Sequence, residues 1–91
     1  MQNKTRSGIA NYKRLYLLSL IDSGVNTVPL LEAETGMGRR TIQALIKSLV
    51  DLDVELNRVG SDRTGWYEIT SWGFISKEYI QTNLQHIKDV L

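Results

Sequence analysis

The chain has 91 residues, a net charge of +1 and 42% hydrophobic residues, which together predict one globular domain rather than a disordered chain. No run of about 20 apolar residues is present, and segment 1–7 lacks the apolar core of a signal peptide, so we expect a cytoplasmic protein without a membrane span. Cysteine is absent and His86 is the lone histidine, which excludes disulfides and argues against a metal site. We therefore expect neither an enzyme nor a bound cofactor.

Charge is distributed in blocks along the chain. Residues 1–14 and 37–50 contain bases and no acid, whereas residues 15–36 and 51–55 contain acids and no base. Such a nearly neutral protein can still present a positive face to an anionic partner. The alternative is that the bases are scattered and solvated, and charge alone does not decide between the two.

The first half of the chain predicts two helices. Apolar residues recur at spacings of three and four over 7–23, with Ser7 as the expected N-cap and Gly24 beyond the C-terminus. Residues 25–28 are compatible with a short strand, although Thr27 is also a plausible N-cap for a second helix over 28–35. Pro29 then falls in the first turn of that helix, and Gly36 ends it.

The second half predicts a third helix, a β-hairpin and a final helix. The third helix spans 38–52, and strands around 54–58 and 66–69 flank a loop over 60–65 that is rich in turn-forming residues. The final helix covers about 71–91. The expected buried stripe of the third helix consists of Ile42, Leu45, Ile46 and Leu49, with Val50 and Leu52 near its end.

This order of elements, together with segment 30–42, resembles a winged helix-turn-helix domain of the bacterial transcription-regulator type. The matching parts are the Thr35-Gly36 turn, Arg40-Thr41-Ile42 at the start of the third helix, and Tyr67-Glu68-Ile69-Thr70 followed by Gly73. The resemblance covers residues 9–75. It implies an α+β, mostly helical fold with a three-helix core, a hairpin wing and a long C-terminal helix. We expect residues 1–8 to be a flexible basic arm and 9–91 a single domain.

The resemblance implies binding of double-stranded DNA by a small regulator. The recognition helix 38–52 would enter the major groove, and the wing 58–66 would lie on the backbone. Arginine can bind guanine or phosphate, and glutamine can bind adenine. The predicted DNA-binding residues are Arg39, Arg40, Thr41, Gln43, Lys47, Arg58 and Arg63.

Two residues depart from the family pattern. Glu32 stands where a small residue is usual, and Gly38 stands where serine often caps the recognition helix. Winged helices also serve as protein-interaction modules that do not bind DNA. The low net charge and the acidic segment 51–55 are compatible with that alternative.

The final helix is too long for a small domain to bury every apolar residue against itself. We therefore expect a homodimer, with Leu84, Ile87, Val90 and Leu91 as its contacts.

Overall fold

Four α-helices and a two-stranded antiparallel hairpin make up the part of the chain described by the computed structural model, residues 4–61 and 63–91. A 3₁₀ turn, Leu49–Leu52, follows the third helix. The predicted α+β winged architecture is confirmed. None of the helices in these ranges has the length and apolar character needed to cross a membrane. The elements are α1 (Arg6–Ser23), α2 (Val28–Thr35), α3 (Arg39–Ser48), β1 (Glu55–Val59), β2 (Trp66–Ser71) and α4 (Lys77–Val90).

Side-chain caps set where α1, α2 and α4 begin. Thr5, Thr27 and Ser76 each accept a hydrogen bond from a backbone N–H three residues later, at 3.0, 3.2 and 3.0 Å. The predicted cap Ser7 is therefore wrong, because it lies inside α1. Residues 6–8 of the expected arm are helical, and residues 1–3 lie outside the described ranges. The prediction that the last helix starts at 71 is also wrong, since β2 extends to residue 71 and α4 starts after its cap.

Of the two alternatives for segment 25–28, the N-cap at Thr27 is confirmed and the strand does not form, since the described sheet has only two strands. The backbone groups of this segment are used elsewhere. The Val25 N–H donates to the Leu20 carbonyl at 2.9 Å, and the Thr27 carbonyl accepts from the Leu31 N–H at 2.9 Å. One link to the sheet remains, in which the Tyr67 N–H donates to the Asn26 carbonyl at 2.8 Å.

The turn between α2 and α3 is held by its own backbone and by Thr35. Gly36 has a φ of 73°, a left-handed conformation that glycine adopts without a Cβ penalty, and its N–H donates to the Glu32 carbonyl at 2.9 Å. The Thr35 hydroxyl donates to the Leu31 carbonyl at 2.6 Å and accepts from the Met37 N–H at 3.1 Å. Gly38 precedes α3 and offers no side-chain cap.

Two adjoining apolar clusters form the core, and Tyr16 packs against both. The first joins α1, α2 and α3 and contains Leu17, Leu20, Ile21, Leu31, Ile42 and Leu45. The second joins α1, the 3₁₀ turn and α4, with the hairpin packed against it, and contains Leu18, Leu49, Val54, Ile80 and Ile87. Val50, expected in the buried stripe, is instead 67% exposed.

Ile87 was predicted to contact a second copy of the chain, and the structure contradicts this. Its side chain is fully buried in the second cluster, so it is unavailable to a partner. Of the other three residues in that prediction, Leu84 and Val90 are half-buried and Leu91 is 45% exposed. A dimer through those three residues stays a prediction.

We expect Ile87→Ala to lower the free energy of unfolding by about 2–5 kcal/mol, because it leaves a cavity in the second cluster. Gln81→Ala, at an exposed position of the same helix, should change it by less than about 0.5 kcal/mol. Chemical denaturation monitored by circular dichroism measures both changes. Equal effects of the two substitutions would contradict the burial of Ile87.

We expect Gly73→Ala to destabilise the fold by about 2–4 kcal/mol. Gly73 has a φ of 53°, and a Cβ there would collide with the backbone of Leu52 and Asp53, where the two segments cross. Gly36→Ala is the matched control, because its φ is also positive but no atom lies within 4 Å of the added Cβ. The control should lose about 1–2 kcal/mol. Equal losses of unfolding free energy in the two variants would show that the backbone of Leu52 and Asp53 accommodates the extra carbon at residue 73.

Candidate nucleic-acid interface

The polar face of α3 is exposed because its apolar face is committed to the core. Ile42, Leu45 and Leu49 recur at spacings of three and four and are buried on one side. The helical period then places Arg40, Gln43 and Lys47 on the opposite side, and all three are exposed.

Arg39 and Thr41 occupy the two flanks of this exposed face. Thr41 shares its flank with Ser48, seven residues on, whose hydroxyl oxygen accepts from Nε of Arg14 at 2.7 Å. Thr41 therefore lies toward α1. Arg39 lies on the other flank, toward the hairpin, and both residues are exposed.

A cleft of about 250 Å³ lies between α2, α3 and the end of the hairpin. It brings together four of the seven predicted DNA-binding residues, which come from two separate segments of the chain. Arg40, Thr41 and Lys47 do not line it. The predicted residues in the cleft are Arg39 and Gln43 from α3 and Arg58 and Arg63 from the hairpin.

Arg58 reaches the cleft because of the strand register. It pairs with Tyr67, two positions along the strands from the pair Leu56–Ile69, whose side chains pack against the core. Alternation along the strands puts both pairs on the same face of the sheet. The Arg58 guanidinium carbon lies 5.7 Å from the centroid of the Tyr67 ring, a cation–π distance. Arg58 thus lies on the inner face of the hairpin, on the side of α3.

The loop of the hairpin is closed by Ser61 and Thr64. Their hydroxyl oxygens are 2.7 Å apart, and the Thr64 N–H donates to the Ser61 hydroxyl at 3.1 Å. Arg63 lies within this turn and is exposed. The loop geometry therefore carries an arginine to the distal end of the hairpin.

Four of the five cationic side chains on this surface are open to a ligand. Arg39, Arg40, Lys47 and Arg63 make no hydrogen bond or ion pair with another residue in the ranges 4–61 and 63–91. In those ranges the ion pair between Lys77 and Asp22, at 3.6 Å, lies elsewhere, between α4 and α1. An anionic or hydrogen-bonding group can therefore bind those four side chains of the surface without first breaking an internal salt bridge.

Lys47 lies apart from the basic cleft. It lines a second groove of about 560 Å³ between the end of α3 and the hairpin, whose lining includes Ile46, Val50 and Leu56. Asp51, Asp53 and Glu55 are exposed just beyond α3. Positive charge therefore concentrates at the N-terminal half of α3, and negative charge follows its C-terminal end.

Sequence reasoning missed Glu32 and Tyr67 as parts of the cleft. Glu32 stood out only as a departure from a family pattern. The sequence does hold a signal for Tyr67. Once the strands are paired, Arg58 and Leu56 lie opposite Tyr67 and Ile69, which predicts Tyr67 and Arg58 on the same face of the sheet. Among the residues that the structure describes, no group of three or more His, Asp or Glu side chains could hold a metal ion.

Comparisons with known proteins agree with this geometry. A family model described as a winged helix-turn helix matches residues 5–91. The chain is also similar to the crystal structure of a DUF2131 family protein from Shewanella amazonensis SB2B, with 32% sequence identity and a TM-score of 0.89. That alignment covers 97% of this chain and 88% of the other. A comparison with curated proteins gives no match. Because the family match spans nearly the whole chain, this protein belongs to the winged helix-turn-helix family.

Proposed function

We propose that this protein binds double-stranded DNA through α3 and the hairpin wing and acts as a small bacterial transcriptional regulator. The observation that carries the proposal is the cleft in which Arg39 and Gln43 of α3 meet Arg58 and Arg63 of the wing. Two elements that are distant in sequence thus present one basic surface. A helix with a polar front and a neighbouring basic hairpin suit a groove and the adjacent backbone.

The front of α3 would supply base recognition. Arg40 and Gln43 are exposed and face away from the buried stripe. Arginine can form two hydrogen bonds to the edge of guanine, and glutamine can form two to adenine. Thr41, on a flank of α3, and Lys47, in its last turn, suit phosphate contacts.

The wing would supply contacts that do not depend on sequence. Arg58 and Arg63 lie at its distal half, and the Tyr67–Asn26 hydrogen bond fixes the wing to the body of the domain. Phosphate contacts of this kind set position and orientation on the duplex.

A homodimer would read two half-sites separated by about one or more helical turns of DNA. Its proposed contacts are Leu84, Val90 and Leu91 at the end of α4, since Ile87 is buried. We place this regulator in the cytoplasm.

A second candidate function is protein binding without DNA. The observation that favours it is the exposure of two large apolar side chains, Phe74 at 76% and Val50 at 67%. Val50 also lines the second groove, next to the acidic residues that follow α3. The titration below separates the two candidates.

We expect the protein to bind duplex DNA with a steep salt dependence. Fluorescence anisotropy with a labelled random-sequence duplex and with genomic fragments, at about 50 and 200 mM salt, measures this. If four phosphates are contacted, affinity should fall by roughly 100-fold over that range. Preference for particular genomic fragments would support a regulator. A folded protein that binds no duplex at low salt would contradict the proposal and favour protein binding.

We expect Arg40→Ala to weaken binding to a preferred genomic fragment by about 1–3 kcal/mol, because a base contact is lost. Binding to random-sequence duplex should change much less. Lys88→Ala is the matched control, since it removes one exposed positive charge from α4, far from α3 in the chain. Equal losses for the two variants on the preferred fragment would show that Arg40 does not read a base.

A further inference from the structure

Glu32 places a negative charge inside the basic cleft. Val28, Pro29 and Glu32 fall on one flank of α2 at spacings of three and four, and all three line the cleft. Glu32 is half-buried, whereas its neighbour Glu34 is exposed and lies outside the cleft.

The Glu32 carboxylate is not neutralised by a direct contact. Its backbone carbonyl accepts from the Gly36 N–H, but its side chain makes no hydrogen bond or ion pair with another residue of the described ranges. Arg39, Arg58 and Arg63 line the same cleft without forming an ion pair to it within 4.0 Å. The negative charge of Glu32 therefore acts electrostatically on any ligand that enters the cleft.

A phosphate entering this cleft meets attraction from three guanidinium groups and repulsion from one carboxylate. A compact space of about 250 Å³ is roughly 6 Å across, which is shorter than the Debye length of about 10 Å at 0.1 M salt. Salt therefore screens the repulsion between the carboxylate and a phosphate in the cleft only in part. Every DNA sequence carries the same phosphates, so this repulsion weakens binding to all sequences. Base contacts from Arg40, which does not line the cleft, are not opposed in this way.

We propose that Glu32 weakens the sequence-independent part of DNA binding, so that a duplex stays bound only where α3 also contacts its bases. This inference rests on the proposed DNA-binding function. It assigns to the acidic side chain a role opposite to that of the arginines around it. Because preferred and random sequences carry the same phosphates, the repulsion lowers both affinities and leaves their ratio nearly unchanged.

The test compares Glu32→Gln with Glu34→Gln. Each removes one negative charge from α2 and keeps the shape of the side chain, but only the first changes the cleft. The probe is a labelled random-sequence duplex, titrated at about 50 and 200 mM salt alongside a preferred genomic fragment. Thermal unfolding of both variants verifies that they fold.

We expect Glu32→Gln to bind the random duplex about two- to five-fold more tightly than the wild type at low salt. The slope of log affinity against log salt should steepen by up to about one, a change that a purely structural role of Glu32 would not produce. The affinity for the preferred fragment should rise by a similar factor, because it carries the same phosphates, and the ratio of the two affinities should change little. Glu34→Gln should show smaller changes in both affinities and in the slope.

Two outcomes overturn the inference while leaving DNA binding intact. Equal effects of Glu32→Gln and Glu34→Gln would show that the cleft charge has no special role. Weaker binding by Glu32→Gln would show that the carboxylate instead supports the arginines. A wild-type protein that binds neither duplex overturns the proposed function, and this inference with it.

Discussion

The burial of one face of α3 is the constraint on which the candidate interface depends. Ile42 and Leu45 of α3 belong to the first apolar cluster, and Leu49, which directly follows α3, belongs to the second, so α3 is anchored at both. Each such side chain contributes about 1.5–3 kcal/mol when it leaves water. Rotating α3 about its axis would expose these apolar residues to water and bury arginine side chains without partners. Both changes destabilise the fold. The orientation of the polar face is therefore fixed by the core and does not require a ligand.

The position of the wing depends in a similar way on Tyr67. An isolated two-stranded hairpin is marginally stable in water, so the wing needs support from the body of the domain. Tyr67 provides it through its backbone hydrogen bond to Asn26 and through its ring, which packs against the first cluster and contacts Arg58. The same residue lines both grooves beside α3. One side chain thus links the core, the wing arginine and the space between wing and helix.

Local signals predicted most of the fold, and they failed where two local options competed. Thr27 was recognised as a possible N-cap, but the choice between a cap and a strand over 25–28 depends on hydrogen bonds to Leu20 and Leu31 that no short window contains. Ser71 and Ser76 both resemble caps, and the pairing of Ser71 with Glu55 in the sheet decides between them. Ile87 shows a different limit. Helical periodicity identifies apolar positions on α4 but does not say which of them meet α1.

The sequence predicted which residues belong to the candidate site but not how they are arranged in space. The family resemblance directed attention to Arg39, Arg40 and the wing arginines, and charge blocks along the chain gave the same emphasis. The grouping of Arg39 with Arg58, and the intrusion of Glu32, depends on contacts between segments about 20 residues apart. Such contacts follow from packing of the whole domain. Their prediction needs the tertiary structure.

The charge reversal along α3 gives the helix a preferred direction of approach to any polyanion. Its N-terminal end carries arginines together with the positive end of the helix dipole, whereas three exposed acids follow its C-terminal end. The ten residues of α3 span about 15 Å, close to the width of about 12 Å of a DNA major groove. A duplex bound as proposed would therefore meet attraction at one end of the helix and repulsion at the other. These charges alone would decide which end of α3 approaches the duplex. The side chains that contact bases could then change without altering the orientation of the domain on DNA.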